Sequence, residues 1–181
     1  IKYATRAGPS EVLATPIVYK NRVYTAIGQD PEHGEGAGNL VCIDATKTGD
    51  ITQSGKIWSY QKIARSLSTL AIHDGLVFAA DFSGFIYCLD AETGEEYWVH
   101  DTKGHIWASP LVADGKVYIG NEDGYMTILA AGRELNLINE IDMKAPVYSS
   151  AVAANNTLYV ATHTHLFAIA KPGGDASGTV R

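Results

Sequence analysis

Along the chain, short apolar runs alternate with turns rich in Gly, Asn and Asp, and four stretches repeat one pattern. They are VLATPIVYKNRVYTA (12–26), SLSTLAIHDGLVFAA (66–80), WASPLVADGKVYIG (107–120) and YSSAVAANNTLYVA (148–161). In each, a small hydroxyl residue leads into an apolar strand, a polar turn and a second apolar strand carrying an aromatic. The hydroxyl positions Thr15, Thr69, Ser109 and Ser150 stand 54, 40 and 41 residues apart. The aromatic positions Tyr24, Phe78, Tyr118 and Tyr159 give the same three spacings, and so do the turn positions Asn21, Gly75, Gly115 and Asn156. Three agreeing ladders mark an internal repeat. The first repeat is longer in its loops and not in its strands. Tyr24 to Asp44 spans 20 positions where Phe78 to Asp90 spans 12, and Asp44 to Trp58 spans 14 where Asp90 to Trp98 spans 8.

Each unit reads as four short strands. In the second, LSTLAI and LVFAA flank His73-Asp74-Gly75, and Ser83-Gly84 leads into Phe85-Ile-Tyr-Cys-Leu89 before a last strand carrying Trp98. Asp-Gly suits a two-residue hairpin, because both central residues need positive φ. Asp114-Gly115 repeats the device, and Asn155-Asn156 and Lys20-Asn21 are weaker versions. No segment keeps a helical period over eleven or more residues. The prediction is an all-β chain, a β-propeller of four-stranded antiparallel blades with about four blades present. The blades fall near 12–60, 66–101, 106–142 and 147–171, followed by a flexible tail at 172–181.

The second unit contains Cys88-Leu-Asp90-Ala-Glu-Thr93-Gly94-Glu-Glu-Tyr-Trp98. This resembles the tryptophan-docking repeat of pyrroloquinoline-quinone (PQQ) dehydrogenase-type propellers, Ala-x-Asp-x-x-Thr-Gly-x-x-x-Trp, with Cys88 in place of the Ala. The first unit keeps Asp44, Thr48-Gly49 and Trp58, while the third has Ala130 and Ile138 where the Asp and Trp are expected. The resemblance implies that Asp44, Trp58, Asp90, Thr93, Gly94 and Trp98 are structural docking residues joining adjacent blades. It also implies a seven- or eight-bladed ring, of which this chain holds part. The arc is expected to be completed by further sequence, with a homodimer making an eight-bladed ring as the runner-up and closure as a four-bladed ring as a third alternative.

Composition narrows the partners. The 181 residues carry 20 acidic side chains against 14 Lys and Arg, a net charge of −6, which disfavours a nucleic-acid phosphate footprint. No apolar stretch approaches the ~20 residues of a membrane-spanning helix. The start at Ile1 shows no charged segment before an apolar run, so no signal peptide is read in it. Cys42 and Cys88 occupy equivalent positions on neighbouring blades, too far apart for a disulfide, and read as buried apolar fillers.

By the propeller resemblance, the loops between second and third strands share one face with the crossovers between blades. That face carries the candidate partner- or ligand-binding residues His33, Glu35, Arg65, Asp81, Lys103, His105, Trp107 and Asp123. The acidic loop holding Asp30, Glu32, His33 and Glu35 reads as a solvated insertion or partner contact rather than a cation loop, since it lacks an alternating Asp/Asn ladder. Trp107 reads as a residue packed between blades, against the alternative of a stacking plate in a cofactor pocket. Asp81 and Asp123 flank turns at related positions and read as turn caps. His163 and His165 alternate on a strand but lack a third metal ligand. No catalytic residue and no metal site is assigned.

Two functions follow. The first is a non-catalytic scaffold whose loop face binds a protein partner or small ligand. The second, implied by the resemblance, is a fragment of a PQQ- and Ca²⁺-dependent quinoprotein oxidising an alcohol or sugar. The sequence shows no vicinal cysteine pair, which favours the scaffold. The resemblance also implies a periplasmic or exported location.

Overall fold

Tight turns cut this chain into strands too short to bury themselves except by stacking sheet on sheet. A computed structural model describes residues 10–29 and 36–171, and every regular element among them is a strand. The first blade contains β1 (Ser10–Glu11), β2 (Ile17–Tyr19), β3 (Arg22–Gln29), β4 (Gly38–Asp44) and β5 (Lys56–Tyr60). The short β1 and β2 pair with opposite ends of β3, so together they act as one inner strand. The second blade is β6 (Ala71–His73), β7 (Leu76–Ala80), β8 (Phe85–Asp90) and β9 (Glu96–Asp101). The third is β10 (Leu111–Ala113), β11 (Lys116–Gly120), β12 (Tyr125–Ala130) and β13 (Leu137–Asp142). The fourth has β14 (Val152–Ala154), β15 (Thr157–Ala161) and β16 (Leu166–Ala170). Every pairing is antiparallel and, apart from that of β1 with β3, joins sequential strands, as an up-and-down blade requires. The proposed tail at 172–181 lies outside the described residues.

The four predicted hairpins adopt positive φ at both central residues: Lys20 and Asn21, Asp74 and Gly75, Asp114 and Gly115, Asn155 and Asn156. That backbone twist matches the twist of the flanking strands. Between hairpins, the second blade buries both faces of its sheet. The run Leu76–Ala80 is wholly buried because alternate side chains enter two different seams. Tyr24, Ala26, Leu40 and Cys42 meet Val77, Ala79 and Leu89 of the second blade, while Phe78, Ala80, Ile86 and Cys88 meet Val117, Ile119 and Leu129 of the third. Both cysteines are free and buried, and burial pushes the Cys88 thiol up to about 12.

The repeated hydroxyl now has a reason. Thr15 N–H donates to Thr69 Oγ1 (3.1 Å), Thr69 N–H to Ser109 Oγ (2.9 Å) and Ser109 N–H to Ser150 Oγ (2.8 Å). A single chain of hydrogen bonds links the inner strands of all four blades. On the outer strands, Trp58 Nε1 donates across the seam to Ala91 O (3.1 Å), and Trp98 Nε1 donates to Gly132 O (2.9 Å). Asp90 Oδ1 accepts from the backbone of Glu92 and Thr93, holding the turn that Trp58 covers.

One alignment is corrected. The register pairs Cys42 with Trp58, Cys88 with Trp98 and Ile128 with Asn139. A bulge follows each of these pairs, so Asn139, and not Ile138, stands in the tryptophan position of the third blade, while Ile138 matches Tyr97. Asn139 lies on a fully exposed strand and covers no seam.

The first seam is also held by charge. Tyr60 OH donates to Glu96 Oε2 (2.5 Å), and Lys62 Nζ lies 3.1 Å from the same oxygen. The Tyr60 hydroxyl, seconded by Lys62, holds the Glu96 carboxyl below its ordinary 4.5. A depressed carboxylate contributes stability that is complete above its unfolded value and lost as pH falls through its folded value. Thermal melts near pH 7 and about pH 3 should therefore show a smaller acid-induced drop in Glu96→Gln than in the parent chain. An equal drop in both proteins would refute this role for Glu96.

Candidate functional site

The end of the blades that collects the strand 2–3 turns and the crossovers is assembled by backbone bonds repeated at each junction. Phe82 N–H donates to Arg65 O (2.7 Å), Glu122 N–H to His105 O (2.9 Å) and His163 N–H to Pro146 O (2.9 Å). Each turn is thereby pinned to the crossover entering its own blade. In the second crossover, burial alternates strictly from Asp101 to Ala108. Thr102, Gly104, Ile106 and Ala108 are buried while Lys103, which turns the chain at φ +62°, His105 and Trp107 are exposed.

On this end lies a continuous strip of rings. Phe82 stacks on His105 with centroids 4.5 Å apart and planes 5° apart. Phe82 then meets Trp107 edge to face at 5.1 Å and 88°, Trp107 meets Tyr148 at 6.1 Å and 89°, and Tyr148 meets His163 at 5.8 Å and 79°. Such arrangements follow the ring quadrupole, with a positive edge against a negative face. The strip crosses three blades, yet Trp107 remains 45% and Tyr148 44% exposed. Trp107 Nε1 donates to Glu122 Oε2 (2.9 Å), and His105 Nδ1 lies 2.9 Å from Phe82 O. Beside the strip is an open hollow of about 210 Å³ lined by Ser83, Lys103, Gly104, His105, Glu122 and Asp123. The whole is a rigid, half-wet aromatic surface with both charges at its margin.

The structure brings Lys103, His105, Trp107 and Asp123 together here, with Arg65 at the neighbouring junction. The expectation that Trp107 packs between blades does not hold, since it stands out from the surface where Trp58 and Trp98 are buried at 8% and 6%. Asp81 is wholly buried and offers nothing to a partner. Its carboxylate accepts from Phe85 N–H (3.2 Å), Ala64 N–H (3.1 Å) and Tyr87 OH (2.7 Å), which makes it a turn cap. Its counterpart in the third blade is Asn121 rather than Asp123, because Asn121 Oδ1 accepts from Tyr125 N–H in the same way. His33 and Glu35, with Asp30 and Glu32, lie outside the described residues. His165 approaches Phe167 and Thr164 and lies off the strip.

Sequence reasoning missed Phe82, Glu122 and Tyr148. The repeat spacing itself could have found Tyr148, which follows Trp107 by the same 41 residues that separate Ser109 from Ser150. Phe82, Glu122 and His163 share one turn position at spacings of 40 and 41.

PQQ would come with Ca²⁺, and the donor set does not fit that pair. Among the described residues no three His, Cys, Asp or Glu side chains gather around one point, and Cys42 and Cys88 are single buried thiols on separate blades. No chemical step is derived through the cofactor.

Comparison with known proteins adds the following. The family described as outer membrane protein assembly factor BamB matches residues 36–176. Among solved structures, BamB from Moraxella catarrhalis is similar with a TM-score of 0.65 and 19% identity, covering 84% of this chain and 41% of that one. The quinohemoprotein alcohol dehydrogenase ADHIIG from Pseudomonas putida HK5 gives 0.66 and 21%, covering 89% and 29%. The computationally designed Ika4 protein gives 0.70 and 14%, covering 92% and 95%. At these identities the likeness is one of fold, and the chain spans less than half of each of the two natural proteins. No curated protein matches the chain in sequence.

Proposed function

We infer a function for this chain from one premise: it belongs to the PQQ-like repeat family described as outer membrane protein assembly factor BamB. Within that family it is a non-catalytic β-propeller module, a rigid scaffold that contacts a protein partner at the periplasmic side of the outer membrane. The observation carrying this reading is the ring strip from His105 to His163, which no single blade could build. Exposed aromatic side chains locked by their neighbours lose little conformational entropy on binding, which is why Trp and Tyr dominate protein-binding hot spots. Trp58 and Trp98 serve this platform indirectly, as docking residues that set the blades at fixed angles.

Site-specific photo-cross-linking tests the proposal. A benzophenone side chain placed at Trp107, in cells that build an outer membrane, should give a protein adduct. The same group at Asp114, at the opposite end of the blade, should give none. Equal labelling at both positions, or none at Trp107, would remove the assigned face. The alternative, a fragment of a PQQ-dependent dehydrogenase, is supported by likeness of fold alone. It requires PQQ with Ca²⁺ to raise the thermal midpoint, because a ligand selective for the folded state stabilises it. The scaffold reading expects no shift at saturating cofactor, and a clear rise would reverse the assignment.

A further inference from the structure

Between the second and third blades a titratable ring enters an apolar seam with its inner nitrogen unbonded. His100 stands opposite Ile86 across β8 and β9, and residues paired in this way share a face. Ile86 packs in the seam with Val117, Ile119 and Leu129 of the third blade. From the other side, Thr127 stands opposite Ile119 and Glu140 opposite Thr127, so both lie on the face turned to the second blade. His100 Nε2 and Thr127 Oγ1 are buried, and neither has a hydrogen-bond partner among the described residues. Native seams rarely keep buried polar atoms unpaired without a use for them.

Burial holds the His100 imidazole below its ordinary 6.5, against the pull of Glu140 across the seam and Asp101 on its own strand, and Lys103 adds to the burial. The other groups along this seam are paired or neutral. Asp142 is held by Lys144 (2.6 Å), Arg133 lies 3.9 Å from Asp90, Cys88 is a buried thiol and Tyr125 follows on the face of Thr127. Position gives the ring reach beyond the seam. His100 is followed by Asp101, the last residue of β9, and then by the crossover that carries Lys103, His105 and Trp107. Phe82, in the turn of the second blade, contacts His105 and Trp107 only while that crossover keeps its seat.

We propose that His100 makes the seam between the second and third blades a pH-sensitive joint, closed around the neutral ring and loosened by the protonated one, which unseats the crossover bearing Trp107. An imidazolium here is a charge among Ile86, Ile119 and Leu129 with no carboxylate bonded to it, a state relieved only by admitting water. A histidine held below its unfolded value takes its proton more readily when unfolded. Stability is therefore complete well above 6.5 and is lost as pH falls through and below it. The consequence for a partner rests on the reading of the ring strip as a binding face, whereas the joint itself does not.

Magnetic resonance of the His100 ring should give a titration midpoint below 6.5, moved further down in Glu140→Gln. Amide exchange, corrected for its intrinsic pH dependence, should rise several-fold in β9, β12 and the crossover between about pH 7.5 and about pH 5.5. That window lies above the range in which Glu96 titrates, and β5 should not change. The rise should vanish in His100→Gln and His100→Leu and persist in His73→Gln, an exposed histidine of the same blade. A ring titrating at 6.5 or higher, an equal rise in β5, or a rise that survives both His100 variants would each overturn the joint. Cross-linking from Trp107 separates the joint from the binding face. An adduct weakened at the lower pH in the parent and kept in His100→Gln supports both, and exchange that rises with the adduct unchanged would overturn control of the strip. No adduct at either pH would count against the binding face alone, since the exchange result decides the joint.

Discussion

Replacing Trp58 with alanine is expected to lower the unfolding free energy by about 3–5 kcal/mol, read from denaturant titration. The side chain is 8% exposed, packs on Tyr24 at 5.9 Å and bonds Ala91 O on the neighbouring blade. Removing it therefore opens a cavity at a seam and takes one donor from the Ala91 carbonyl, which keeps its bond from Tyr24 OH (3.0 Å). Gly94 gives an independent check on the same contact. Its φ is +75°, and a Cβ there would lie 2.7 Å from Trp58 Cδ2, so Gly94→Ala adds backbone strain to a clash with the indole. Asn139→Ala, at the equivalent position of the third blade, should stay within about 0.5 kcal/mol of the parent. A Trp58→Ala loss no larger than the Asn139→Ala loss would mean that the indole is not what joins the blades.

Asp81→Ala should also be costly, about 3 kcal/mol or more, because a buried hydroxyl and two part-buried N–H groups lose their acceptor together. Ala64 N–H belongs to the crossover from the first blade, while Phe85 N–H and Tyr87 OH belong to the second. The carboxylate is thus a tie between blades as well as a turn cap. Burial, then the bond to Asp81, pushes the Tyr87 phenol well above its ordinary value, so this hydroxyl stays a donor. Asp81→Asn should fall between parent and alanine. The Asn121 precedent shows that an amide oxygen serves the turn N–H, but an amide nitrogen cannot accept from Ala64. Chemical denaturation of the three proteins checks the order, and an asparagine variant as unstable as alanine would contradict it.

The two results concern parts of the chain that were unequally legible. Trp58, Trp98, Asp90, Thr93 and Gly94 stand in a spaced motif, so order along the chain displays them even though the tryptophans bond across the seams. The four hairpins were equally plain, because positive φ restricts the residue types allowed at each turn. Asn139 was misaligned because the turn before the last strand is one residue longer in the third blade, where Ala130 N–H reaches Asn136 O while Asp90 N–H reaches Glu95 O in the second. Asp81 was grouped with the exposed residues because its loop lies on the working end. Only the fold shows that its carboxylate turns inward.

The sequence by itself determined the unit: its length, its strands, its turns and the residues that recur at each seam. Those properties arise within some forty residues, from the twofold period of extended chain and from the few conformations that glycine and asparagine permit. Tertiary structure decided which of those residues work. It set Trp107 in the open between rings from the blades on either side, buried Asp81 beneath the same surface, and left Val152 and Leu166 exposed where their counterparts are covered. Exposure depends on what the adjoining blade supplies, and that neighbour is fixed by the angle at which sheets stack, not by the order of residues within any one of them.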